Sequence, residues 1–255
     1  MNEAEPQAAV PKPELRWYQF SLRSLLLFTL AVAVVLSLIC YLQRKSREDK
    51  CREHMMVVYN ALLAYYQSCG RFPGRPYSTD QNGRPMHSWR AHLMPFWPDH
   101  DYHITRQYKF NEPWDSPTNE RFWTTYGDYS CPGYVESSNI TNYVAVVGGS
   151  LWSKKGGLPP ASGRSLLIVE LVESDIVWAK PVDMTLAELA SWLRDDPSGA
   201  EFRRRVRHIL AVDATGAPSI LDPARDIDEI RAIIEAEQRS AGERDKQERT
   251  GKGAR

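Results

Sequence analysis

Residues Ser24–Gln43 read SLLLFTLAVAVVLSLICYLQ, twenty residues without a charge, a proline or a glycine. As a helix this run is about 30 Å long, the thickness of a bilayer hydrocarbon core. A helix serving a soluble core is amphipathic, whereas this one is apolar on every side. Arg16 and Arg23 precede it, with Trp17, Tyr18 and Phe20 between them as interfacial residues, and Arg44, Lys45 and Arg47 follow it. The run reads as one membrane-spanning helix, with residues 16–43 as the anchor. Cleaved alternatives fit less well. Ala31-Val32-Ala33 has the form of a signal-peptidase site, but the apolar run continues past it. Ile39 precedes Cys40 where a lipoprotein site needs a small residue, and Leu27 stands where a pilin-type leader needs Gly. The nearby positive charges are Lys12, Arg16 and Arg23 before the span, and Arg44, Lys45, Arg47, Lys50 and Arg52 after it. That balance mildly favours a cytoplasmic C-terminal side, although the rule is weak for long translocated domains.

Working outward, residues 1–15 hold three Pro and no apolar pattern, and read as a flexible tail. Beyond the span, Met55, Val58, Tyr59, Leu62, Tyr65 and Tyr66 recur at helical spacing. The helix is therefore expected to continue, amphipathic now, to a stop at Gly70 with Pro73 beyond. Eight Pro and four Trp between residues 71 and 134 predict long loops pinned by aromatic anchors, with a short helix around Trp89–Phe96. Tyr143–Val147 and Leu166–Val172 are strand candidates, and Ile176–Trp178 is read as continuing the second as a hairpin. Thr185 with Glu188 forms a capping box that opens a helix ending before Pro197. Val206–Val212 and Pro218–Leu221 flank a turn at Asp213-Ala214-Thr215-Gly216. A last helix is signalled by Asp226 with Glu229 and runs to about Gln238, leaving residues 239–255 as a charged, disordered tail. The fold class is α+β: a long N-terminal helix, transmembrane then amphipathic, packed on an antiparallel sheet within a domain spanning 44–238.

Composition narrows the function. With 32 basic and 32 acidic side chains in 255 residues, the net charge is zero, which argues against a nucleic-acid partner. Four Cys are too few for a disulfide scaffold. Cys40 lies in the apolar span, and Cys51 and Cys69 would sit about 27 Å apart on one helix, too far to bond. Cys69 with Cys131 is then the pairing left open, against free buried thiols. His87, His92, His100 and His103 fall in one Pro-rich region beside Asp99 and Asp101. His100-Asp-Tyr-His103 has a spacing that could suit two metal-ligating imidazoles with His92 or Asp99 as further ligands, but solvated or structural histidines are the stronger reading of the cluster. In Glu112-Pro113-Trp114-Asp115-Ser116-Pro117, two carboxylates three residues apart could in principle serve as an acid–base pair. The bland reading makes Asp115 and Ser116 turn residues and Trp114 a buried anchor. The run Arg203–His208 reads as a solvated face, an edge guard on a strand, or a contact for anionic headgroups. No phosphate-loop, dinucleotide, G-x-S-x-G or C-x-x-C pattern occurs.

Several phrases form a familiar order: HMMVVYNALLAYYQSCGRFP from His54, HSWRAHLMPFW from His87, YKFNEPWDSPTNERF from Tyr108, TNYVAVVG from Thr141, SLLIVELVES from Ser165, IVWAKPVDM from Ile176 and VRHILAVDATG from Val206. The set resembles the DUF1559 domain, a planctomycete group of membrane-anchored, pseudopilin-like proteins, over roughly residues 51–222. Glu112–Asn119 and Val177–Met184 are its most specific parts. The closing turn keeps Asp213 but spaces its Gly differently, and the cleavable leader is degraded. The resemblance implies a pilin-like fold, anchorage in the inner membrane by a single pass, and a domain outside the cytoplasm. It transfers no catalytic residue. The expectation is a protein that is not an enzyme, needs no cofactor or metal, and works by binding or assembly. Its partners would be the lipid bilayer and an envelope protein or further copies of itself. The alternative is an envelope hydrolase or metal-binding protein using the His87–His103 region.

Overall fold

The computed structural model describes residues 22–73, 79–98, 102–124, 129–132, 139–149, 151–152, 163–196 and 198–252. The chain divides into two compact units, residues 1–45 and 46–255. Helix α1, Leu22–Cys69, contributes to both. In the first unit it carries one stretch long and apolar enough to cross a membrane, none of it buried, with Leu26, Phe28, Leu30 and Leu36 all more than half exposed. In the second unit the helix buries Cys51, Met55, Val58, Tyr59, Ala61 and Leu62, the stripe expected from spacing. It stops where expected: Gly70 adopts φ 71° and its N–H donates to the Tyr66 carbonyl at 2.8 Å.

The second unit is built on a five-stranded sheet. Its strands are β1 (Tyr143–Val147), β2 (Arg164–Leu171), β3 (Met184–Thr185), β4 (Val206–Asp213) and β5 (Pro218–Leu221), in the order β3-β1-β2-β4-β5. All neighbours are antiparallel except the short parallel pair β1–β3. The central strands are apolar without alternation because both faces are covered. On one face Tyr143, Ala145, Val147, Leu210 and Val212 join the buried stripe of α1 and the Trp-rich loops. On the other, Val144, Val146, Ile209 and Ala211 pack under three helices: α5 (Leu186–Asp195), α6 (Ala200–Arg205) and α7 (Ile227–Lys252). The molecule is thus mixed α and β, with a mostly antiparallel sheet between helical layers.

Local chemistry accounts for the remaining elements. Thr185 and Glu188 form the expected capping box at the start of α5. Helix α2 (Trp89–Leu93) is capped by Ser88 and runs into a single 3-10 turn, Met94–Phe96. The described loops also carry α3 (Tyr102–Gln107) and α4 (Pro117–Glu120), the latter capped by Ser116. In the β4–β5 turn, Asp213 Oδ1 accepts from the N–H groups of Thr215 and Ala217. Three expectations change. Ile176–Trp178 makes no hairpin with β2; Val177 bridges Ile140 instead. The basic run is no edge guard, because β4 lies inside the sheet between β2 and β5. Helix α7 continues past Gln238 to Lys252, with Arg239 and Glu235 paired at helical spacing. The tail 1–15 and the aromatic residues ahead of the span lie outside the described residues.

Candidate functional site

The carboxylate of Glu170 is fully buried near the C-terminal end of the mostly apolar strand β2. It lies opposite His208 in the β2–β4 register, and the next pair, Leu171 with Val206, leaves Arg207 as an extra residue on β4. This bulge lets two neighbouring side chains reach the same carboxylate. His208 Nδ1 lies 2.7 Å from Oε2, and Arg207 Nη1 donates to Oε1 at 2.7 Å. The same Nη1 lies 3.6 Å from Cys131 Sγ and 4.0 Å from Cys51 Sγ. Those two sulfurs form a disulfide with a Cα–Cα separation of 5.1 Å, joining α1 to the loop ahead of β1. This bridge corrects the expectation of free, buried thiols for Cys51 and Cys131. The Cys69–Cys131 pairing left open by the sequence does not form, since Cys69 is free and exposed. Tyr143 borders the cluster, and burial, together with the charge of Glu170, pushes its phenol well above the ordinary value.

Cys51, Cys131 and Glu170 bring their ligand atoms within 4.8 Å of one another, a metal-like spacing. The arrangement nevertheless does not read as a cation cage. The sulfurs are spent on each other, and Arg207 Nη1 stands among the three groups where a cation would sit. A buried carboxylate matched to a guanidinium and an imidazole is a self-neutralised cluster.

The histidines proposed from sequence are only partly brought together. His87 is buried with both nitrogens engaged, Nδ1 at 3.0 Å from the Tyr108 hydroxyl and Nε2 at 3.0 Å from the Phe110 carbonyl. A carbonyl only accepts, so hydrogen bonding assigns the proton to Nε2, and Nδ1 accepts from Tyr108. His92, on α2, stacks on Phe110 at 5.4 Å and stands edge-on to His87 at 6.3 Å. Burial pushes both imidazoles below the ordinary value, His92 to about 4. Asp99, His100 and Asp101 lie outside the described residues, as does the side chain of His103, whose backbone is in α3.

The Glu112–Pro117 phrase takes the structural reading in part. Ser116 caps α4, accepting from the Asn119 N–H, while Glu112 is half-buried and Asp115 is exposed. Trp114 is half-buried rather than buried, stacked on Trp123 at 5.2 Å. Asn119, unremarked in the sequence, is the hub: its amide donates to the Lys109 and Pro113 carbonyls and accepts from the Lys109 N–H. At the surface, Leu171, Val172, Trp192, Glu201, Arg204 and Arg205 are among the residues lining a groove of about 540 Å³, where the Arg205 guanidinium lies 5.3 Å over the Trp192 ring.

Sequence reasoning missed Glu170, Arg207 and His208 as a cluster, although a lone carboxylate in LLIVELV was a visible signal. No family model, no curated protein and no solved structure matches the chain.

Proposed function

We propose that the chain is a single-pass, membrane-anchored, pseudopilin-like envelope protein whose domain lies outside the cytoplasm and works by binding or assembly. The observation that carries this reading is the apolar stretch of α1, exposed throughout and outside both cores. So much uncovered apolar surface on a monomer calls for lipid or another apolar partner. Pilin-likeness is supported by a helix that is apolar first and then lays one stripe on a mostly antiparallel sheet. The Cys51–Cys131 disulfide supports an oxidising compartment and so the extracytoplasmic side, and it outweighs the charge count around the span. A binding role rather than catalysis is supported by titratable clusters that are buried and matched internally. The hydrolase or metal-binding alternative loses ground at His87, whose two nitrogens are both engaged.

The test uses the full chain in a bacterial host with an inner membrane. Retention in the membrane pellet after alkaline carbonate washing is expected, as is digestion of the domain by protease added to intact spheroplasts. A chain that stays in the supernatant without detergent overturns the anchor. Protection that is lost only on lysis overturns the sidedness.

A further inference from the structure

We propose that His87 and His92 form an acid-sensitive clamp, which holds the segment carrying Tyr108 and Phe110 against α2 while both rings are neutral and loosens it when they take up protons. His87 ties that segment down twice, through the Tyr108 hydroxyl and the Phe110 carbonyl. Phe110 is in turn the surface on which His92 stacks, so the one ring of this segment touches both imidazoles. The two imidazoles stand 6.3 Å apart, edge-on to one another.

Two positive charges at that distance, on the buried His87 and the half-buried His92, repel, and neither gains a counter-ion from the described residues. No described carboxylate hydrogen-bonds either ring. Tyr108 is held neutral by burial, which raises its pKa further. On the clamped segment Arg106 and Lys109 are exposed cations, and Glu112 beyond it is half-buried. Protonating His87 also places a donor on Nδ1, where the neutral ring accepts the Tyr108 hydroxyl, so that bond must be rearranged. The lowered values of both rings agree with this picture. A histidine whose folded pKa lies below its unfolded value favours the native state most strongly above about pH 6.5. That contribution is lost as the pH falls toward the folded value, about 4 for His92.

The clamp has a second anchor that does not titrate. Asn119 binds the backbone of Lys109 on both sides, so acid is expected to loosen the segment without unfolding the sheet. The device is therefore local: a compartment that acidifies would change the surface around residues 102–112 while the five strands stay paired.

Hydrogen–deuterium exchange on the detergent-solubilised full chain, corrected for intrinsic rate, tests the proposal between pH 7.5 and 4.5. Peptides covering residues 102–112 are expected to lose about tenfold or more in protection, while those from β2 and β4 keep theirs. His92→Phe retains the stack on Phe110 without a titrating group, and His87→Gln retains a donor and an acceptor. Each is expected to reduce the acid response while matching wild type at pH 7.5. Unchanged protection of the wild-type segment at pH 4.5 overturns the clamp, as does an undiminished response in both variants. Should both variants misfold, NMR titration of labelled histidines in the wild type decides: midpoints well below 6.5 support the clamp, and ordinary midpoints at both positions overturn it.

Discussion

Arg90 is fully buried, and burial pushes its pKa down. What keeps a guanidinium in that position is the number of bonds it makes: Nε to the Trp178 carbonyl at 2.9 Å, Nη1 to Tyr143 and Asp183, and Nη2 to Lys180 and Val182. Asp183 is its counter-charge and also accepts from Trp89 Nε1 and the Ala145 N–H. One planar fork therefore fastens α2 to the 178–183 loop and to β1. Arg90→Ala leaves a buried carboxylate without its cation and is expected to cost about 3–5 kcal/mol in chemical denaturation. Arg90→Lys should recover only a small part of that loss, since an ammonium cannot span five acceptors. A loss under about 1 kcal/mol for Arg90→Ala would show that the fork does not hold these elements together. Trp114 makes a useful contrast. Half-buried and stacked on Trp123, it should lose less on Trp114→Ala than the 3–5 kcal/mol of a fully buried ring. None of the Arg90 network was legible in the sequence, because SWRAHL looks like any short helix with a charged exposed face. Glu170 was different: a single carboxylate in an otherwise apolar strand announces a buried charge that needs a partner.

At the scale of elements, the signals that worked were local ones. The capping box, the Gly70 stop and the Asp213 turn each depend on residues within four positions of one another, so they could be read directly. Thr185→Ala should remove about 1 kcal/mol through loss of the cap of α5, measured as a shift in denaturation midpoint. The errors came where tertiary placement decides. A run as short as Ile176–Trp178 fits a strand or a loop equally, and the core claimed Trp178 while Val177 took a single bridge. The disulfide is the instructive case. Helical spacing already placed Met55, Val58, Tyr59 and Leu62 on the buried stripe, and Cys51 stands one turn before Met55 on that same face. Extending the stripe by four residues would have pointed Cys51, not Cys69, into the core. The bridge closes a loop of 80 residues, which on chain-entropy grounds stabilises the fold by about 4–5 kcal/mol. Cys51→Ala or Cys131→Ala should lose most of that in the oxidised protein, and Cys69→Ser should lose none. Equal stability of all three variants would mean the bridge constrains nothing that matters.

For the whole molecule, the question is which part of the chain calls for an apolar partner and which part requires only itself. The apolar segment of α1 has no place in either core, and the strand-covering residues of the same helix begin at Cys51. The second unit, residues 46–255, therefore contains every buried residue of both layers, the disulfide and all five strands. Each face of its sheet is already covered, one by α1 with the loops and one by α5, α6 and α7. Among the described residues, 22–45 include none that is buried and carry a large exposed apolar surface. The shortened chain is accordingly expected to stay in the supernatant after ultracentrifugation without detergent. It should unfold in one cooperative transition at the same denaturant midpoint as the full chain in detergent, within the error of extrapolation. A mixed result would be informative at this scale. A shortened chain that is soluble but loses about 2 kcal/mol or more would mean that the apolar part of α1 also supports the fold, for instance by preventing the helix from fraying ahead of Cys51. An insoluble one would mean that the domain itself carries apolar surface needing a partner, and the assembly half of the proposed function would then take precedence over the anchor.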